Sequence, residues 1–215
     1  MIQDNEVFVI DDFIEKEYQE QIKNVLLGSE AFDEQEFPWY FIEDVTAAGD
    51  DDSQHRPAMS HQYVEFQDDK DSMGVVSSDF HDMFIPMLQR AAFKFRMPYV
   101  NALQGRSFLQ FPTNKKMTVD LPHIDIYSRK HLVCLYYVCD SDGDTIIYNE
   151  REGDSNKKFS EWSVENVKDR VTPKLTIKQK VTPKQGRVVL FDGWLMHTAE
   201  QPINNVRCIV NYNLD

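Results

Sequence analysis

Residues 120–127 read DLPHIDIY, and the fold turns on how His123 and Asp125 in that stretch are understood. In an extended segment residues i and i+2 point to the same side. An imidazole nitrogen and a carboxylate oxygen can therefore reach one point. Neither group tolerates burial without a partner, and a divalent metal would satisfy both. A third ligand has to come from another strand. The candidate is His197, which follows the apolar run VVLF in GRVVLFDGWLMH (186–197). Two histidines and one carboxylate on one face of a metal leave three positions open, the set that suits non-haem Fe(II). The remaining histidines, His55, His61, His81 and His131, lack an acidic residue two positions away on an evident strand.

Further out, Arg207 follows His197 by ten residues, inside VRCIVNYN (206–213). A guanidinium inside a barrel needs an anion, and its fork matches a carboxylate with two hydrogen bonds. An open metal site plus a carboxylate-binding arginine calls for a cosubstrate that chelates metal at one end and carries an acid at the other.

The surrounding texture is that of short strands. After Pro98 the candidates are 99–111, 119–126, 131–139, 144–149, 174–181, 186–192 and 203–213, with turn-formers between several of them. Before Pro98 the pattern predicts a strand over Glu6–Ile10, with oxygens of Asp11 and Asp12 offered as helix caps. A helix from Glu15 follows, with Tyr18, Ile22, Val25 and Leu26 on one face and Gly28 as its stop. Residues 37–46 (FPWYFIEDVT) suit a strand. A second helix capped by Ser77 or Ser78 has core positions from Phe80 to Phe95. The acidic stretch 47–56 and the charged stretch 151–170 read as exposed loops. The fold class expected is mainly β with flanking helices, a sandwich or barrel. No linker divides the chain, so one unit over 1–215 is expected. In it, 1–98 form a helical and loop flank and 99–215 the β core.

Composition bounds the function. The 215 residues carry 36 Asp+Glu against 23 Lys+Arg, a formal charge of −13. That balance argues against nucleic acid, whose phosphates need clustered cations, and against anionic membrane surfaces. The N-terminal stretch does not read as a signal peptide, and no apolar run approaches the ~20 residues of a membrane helix. Three cysteines without a CxxC pair suit reduced thiols. A soluble cytoplasmic protein is expected.

With these residues in view, the chain resembles the Fe(II)/2-oxoglutarate-dependent dioxygenases, in particular the prolyl-4-hydroxylase-like branch and its phage and bacterial members. The resemblance runs from about Arg106 to Tyr212 through HID (123–125), LYYV (135–138), DGDTIIYNE (142–150), GRVVLFDGWLMH (186–197) and Arg207. It implies a double-stranded β-helix, or jelly roll. His123, Asp125 and His197 would hold Fe(II), and Arg207 the C5 carboxylate of 2-oxoglutarate. Tyr137 resembles the tyrosine that donates to that carboxylate. Strand alternation then turns Tyr136 to the outside of the barrel. Many members carry Ser or Thr two residues after the arginine, where this chain has Ile209, so Asn211 and Thr198 are the candidates for a second anchor. Phe111 stands where some relatives have tyrosine. Asp125 disfavours halogenation, which goes with a small residue there. The implied reaction hydroxylates a protein side chain or small molecule with O2, releases succinate and CO2, and uses ascorbate as reductant. Two other readings remain at this point: a non-redox metal enzyme on a cupin-like barrel, and a binding module without activity.

Overall fold

Which face of each strand is apolar decides where it sits. In the computed structural model, the described residues are 6–28, 30–45, 56–68, 72–97, 101–112, 118–151 and 175–215. Eleven strands are named among them: β1 (Val7–Ile10), β2 (Tyr40–Ile42), β3 (Ala58–Glu65), β4 (Val75–Val76), β5 (Ala102–Gln110), β6 (Leu132–Tyr137), β7 (Thr145–Arg151), β8 (Ile177–Val181), β9 (Val188–Asp192), β10 (Leu195–Ala199) and β11 (Arg207–Leu214). The large sheet runs in the order β1-β9-β6-β11-β5-β3-β2, with β4 also on β3, and the small sheet in the order β10-β7-β8. All pairings are antiparallel.

Two apolar layers follow from strand alternation. Val133, Leu135, Tyr137, Val189, Phe191 and Ile209 meet Ile147, Val181 and Leu195 of the small sheet. The alternate residues Cys134, Tyr136, Val188, Leu190, Cys208, Val210 and Tyr212 pack on the other face against the helices. Strands covered on both faces lose the polar half of the pattern. That is why LVCLYYVC (132–139) reads as a continuous apolar run. The architecture is the expected one: a double-stranded β-helix with helices on one face. Tyr136 lies on the helix side and Tyr137 inside, the register expected of the pair.

Helix α1 (Lys16–Leu27) buries Ile22, Val25 and Leu26 and ends at Gly28, as the spacing predicts. Asp11 and Asp12 do not cap it: Glu15 is the N-cap and makes no side-chain cap bond. Asp11 instead binds Arg187 and Lys184, and Asp12 pairs with Lys16. The second helical segment is split. A 3-10 helix over Asp79–Phe84, capped by the Ser78 hydroxyl, leads into α2 (Ile85–Phe95), whose Pro86 stands in the first turn. The split does not disturb its stripe: Phe80, Met83, Phe84, Met87, Leu88, Ala91 and Phe95 all enter the helix-side core.

Some expectations change. The first 98 residues are more than a helical and loop flank, since β1 to β4 belong to the large sheet. Residues 119–126 form no regular strand. Val119 and His123 make isolated bridges to Glu200 and His197, which lays the segment along β10. The loops expected over 47–56 and 151–170 lie outside the described residues apart from Arg56 and Arg151, and Arg151 ends β7. Among the described residues no helix is long and apolar enough to cross a membrane.

Candidate metal centre

His123 and His197 face each other across the bridge between the 118–123 segment and β10. Each donates its backbone N–H to the other's carbonyl, at 2.9 and 3.0 Å. Asp125 follows two residues after His123 on the same side. One ligand atom from each of the three lies within 4.8 Å of the others. His123 Nε2 is 3.7 Å from Asp125 Oδ1, and His197 Nε2 is 3.9 Å from Asp125 Oδ2. Metal–donor bonds of ~2.1 Å put adjacent donors ~3 Å apart, a contraction that small side-chain rotations supply. The hydrogen bonds suit a metal. His123 Nδ1 is 3.1 Å from Leu121 O and His197 Nδ1 is 3.0 Å from Leu195 O. A proton held on each Nδ1 by a carbonyl leaves both Nε2 lone pairs for the ion.

The electrostatics agree. Burial pushes the His197 imidazole down to about 4, aided by neighbouring His123, so this ring stays neutral. Desolvation acts the same way on His123, but the Asp125 carboxylate outweighs it and holds that ring above its usual value. Burial opposes ionisation of Asp125. The neighbouring His123 ring and the Arg106 charge nonetheless keep its carboxyl well below the usual range. Asp125 is braced on both oxygens: Arg106 donates to Oδ1 at 3.0 Å and Asn211 Nδ2 to Oδ2 at 2.8 Å. The Asp125 side chain is 2% exposed and that of His123 48%, so the centre opens to solvent on the His123 side.

Arg207 lies at the start of β11, facing the barrel interior and only 3% exposed. Its guanidinium donates to Gly143 O (3.0 Å), Gln110 Oε1 (2.8 Å) and Thr145 Oγ1 (2.8 Å). It forms no ion pair among the described residues. Tyr137 donates to the same Thr145 hydroxyl at 2.7 Å, and burial pushes its phenol up to about 12, so it remains a donor. The structure thus brings Arg207 and Tyr137 together around Thr145. Gln110 and Thr145 are site residues that the sequence pattern does not single out, because they depend on the cross-strand register Arg207↔Gln110 and on β7 folding over it.

Asn211 and Thr198 do not join this cluster. Asn211 is on the same face of β11 as Arg207 but four residues on, ~13 Å along a strand, and its amide holds Asp125. Thr198 alternates to the opposite face from His197, and its hydroxyl donates to Asp120 O at 2.7 Å. Neither is placed to be a second anchor at Arg207. Arg106, the other bracing residue of Asp125, is likewise silent in the sequence, since its role rests on a pairing across β5 and β11.

No protein-family model matches the chain, and no curated protein matches it in sequence. Solved structures match its fold. A 2OG-Fe(II) oxygenase family oxidoreductase from Burkholderia pseudomallei aligns over 97% of this chain and 84% of its own, with TM-score 0.62 and 8% identity. SnoK, a non-heme alpha-ketoglutarate-dependent carbocyclase from nogalamycin biosynthesis, aligns over 97% and 79%, with TM-score 0.59 and 12% identity. A prolyl-4-hydroxylase from Pseudomonas putida aligns over 97% and 91%, with TM-score 0.55 and 9% identity. At these identities the likeness is one of fold.

Proposed function

We propose that the chain is an Fe(II)- and 2-oxoglutarate-dependent oxygenase of the prolyl-4-hydroxylase-like branch. It would hydroxylate a primary substrate with release of succinate and CO2, with ascorbate as reductant. The observation that carries the reading is the buried Arg207 guanidinium, which forms no ion pair among the described residues and shares one barrel interior with the His123, Asp125 and His197 donors. A hydrolase or isomerase on the same metal has no use for an inward carboxylate clamp, and a module without activity has none for the pair. The three cysteines, free and buried, suit a reducing cytoplasm.

Each part of the chain has a task in this reading. His123 and His197 present Nε2, with the tautomer held by Leu121 O and Leu195 O. Asp125 presents its carboxylate, oriented by Arg106 and Asn211. Arg207 receives the C5 carboxylate of 2-oxoglutarate, Gly143, Gln110 and Thr145 accept from and hold the guanidinium, and the Tyr137 hydroxyl, now on Thr145, is the further donor for the anion. Leu135, Ile209, Val189 and Phe191 line the interior between the two ends and keep water away. When bound, the iron and 2-oxoglutarate supply the oxidising chemistry, with O2 as the oxidant.

Calorimetry tests this directly. 2-Oxoglutarate is expected to bind only after a divalent metal such as Mn(II) has been added, and Arg207→Leu to weaken that binding about 100-fold, the ratio that ~2.7 kcal/mol for a charged hydrogen-bonded pair gives. Metal-independent binding, or unchanged affinity in the variant, contradicts the assignment.

A further inference from the structure

The outer edge of β3 is covered in two pieces. β2 pairs with Ala58–Ser60 and β4 with Val64–Glu65, while β5 runs along the other edge. At the break between the two pieces lies a cavity of about 660 Å³. Ser60 and Gln62 of β3 give it an open floor, and Tyr40, Val76 and Asp79 stand around it. Its two sides are tied to each other through His61. The ring donates from Nδ1 to Pro38 O at 2.7 Å and accepts at Nε2 from the Ser78 hydroxyl at 2.8 Å. Burial lowers the pKa of His61, so this link carries no charge. The Tyr40 ring stacks on it, with centroids 5.9 Å apart. The cavity is therefore preformed, and a ligand that enters it has little to order.

Two properties set this edge apart. Among the described residues ten large apolar side chains are exposed, and five of them, Tyr40, Phe41, Met73, Val75 and Val76, stand on β2, on β4 or just before β4. Exposed apolar surface gathered in one place marks an interaction site. The second property is charge. The described segments 30–45, 58–68 and 72–84 carry six, two and two acidic residues and no Lys or Arg. Arg56 and Arg129 touch these segments at Asp44 and Ser72, outside the cavity lining. The lining itself holds the Asp79 carboxylate and no cation.

We propose that the break between β2 and β4 is a docking groove for an extended basic segment of another protein. A Lys or Arg of that segment pairs with Asp79 and lies over the Tyr40 ring, and its methylene stem covers Val76. A broken sheet edge suits an extended chain, and the acid-rich flanks draw a cationic one in. A nucleic acid or an anionic membrane meets repulsion here, and so does a second copy of a chain of net charge −13. This docking role needs neither metal nor 2-oxoglutarate and goes beyond the oxygenase reading.

The test titrates the full-length protein into a fluorescein-labelled peptide of alternating lysine and threonine, read by anisotropy. The salt is ~0.15 M, where charges further off than about 8 Å are screened. Saturable binding is expected, with none for the matching peptide of glutamate and threonine. The double variant Tyr40→Ala/Asp79→Asn should weaken binding roughly tenfold, and Asp79→Lys alone by a similar factor. Glu17→Gln, which removes a charge from the exposed face of α1, should leave binding unchanged. No saturable binding of the lysine peptide, equal binding of the glutamate peptide, or the same loss in Glu17→Gln as in the groove variants overturns the proposal. Spermine that displaces the label as well as unlabelled peptide does would overturn it in favour of a small polycation. A dimer in sedimentation velocity that the groove variants dissociate would overturn it in favour of a second copy.

Discussion

Asp125 and Arg207 hold opposite charges at two places in one barrel interior, and each is held by neighbours the sequence does not advertise. The His123–Asp125 pair was legible because a two-residue spacing shares a face in any extended backbone, even though no regular strand forms there. His197 and Arg207 were legible from their positions after VVLF and in the last strand. Arg106, Gln110 and Thr145 were not, because what they touch is set by long-range register. Asn211 was legible as a site residue and misplaced in role: its strand face was right and its distance from Arg207 was not. Two predictions belong at this scale. Tyr137→Phe removes one of two donors to Thr145 and should cost about 1 kcal/mol of stability by urea titration while weakening 2-oxoglutarate several-fold by calorimetry. The second concerns pH. Metal binding needs both Nε2 lone pairs free of protons. His123 is held above the ordinary histidine value and His197 down at about 4, so between pH 6 and 5 His123 already carries a proton that the metal must displace and His197 does not. Mn(II) affinity should therefore fall about tenfold per pH unit there, and a hundredfold fall per unit would contradict the site's electrostatics.

The helices and the last strand were legible because their apolar spacing is strong, and β3 and β10 escaped notice for different reasons. In β3, AMSHQYVE, the open face carries Ser60 and Gln62 while His61 and Tyr63 are buried on the helix side, so its alternation is hidden by a buried histidine. His61 is satisfied there by Pro38 O at 2.7 Å and the Ser78 hydroxyl at 2.8 Å. That makes Ser78 a joint: it caps the 3-10 helix through Phe80 N–H and ties it to β3. Ser78→Ala should cost about 1–2 kcal/mol by urea denaturation. β10 was hidden in the run to His197, since only two residues, Gly193 and Trp194, separate it from β9. The turn into β9 depends on Gly186, whose φ is +77° and where a Cβ would fall 2.2 Å from the Gln19 side chain. Gly186→Ala should lower stability by at least about 1 kcal/mol.

For the molecule as a whole, the jelly roll was readable from the C-terminal strand patterns, six of the seven forming strands, and the contribution of the first 98 residues was not. Those residues wrap the sheet on one face and extend its edge, where β2 to β4 lie beside the open floor. The acidic balance has a plain reading at this scale. Two described cations are turned away from the acidic surface: Arg106 pairs with Asp125 and Arg207 is buried in the barrel interior. Ligands that bind only the folded state stabilise it by mass action, about 2.7 kcal/mol at a hundredfold excess over Kd. Mn(II) with 2-oxoglutarate should therefore raise the melting temperature by several degrees, and a chelator should reverse the gain. The most direct test of the central claim is an anaerobic titration of the protein with Fe(II) and 2-oxoglutarate, followed by visible absorption. A charge-transfer band that grows to one equivalent of each, and disappears in His123→Ala and Arg207→Leu, is expected. No band in the unaltered protein, or the same band in either variant at the same concentrations, would contradict it.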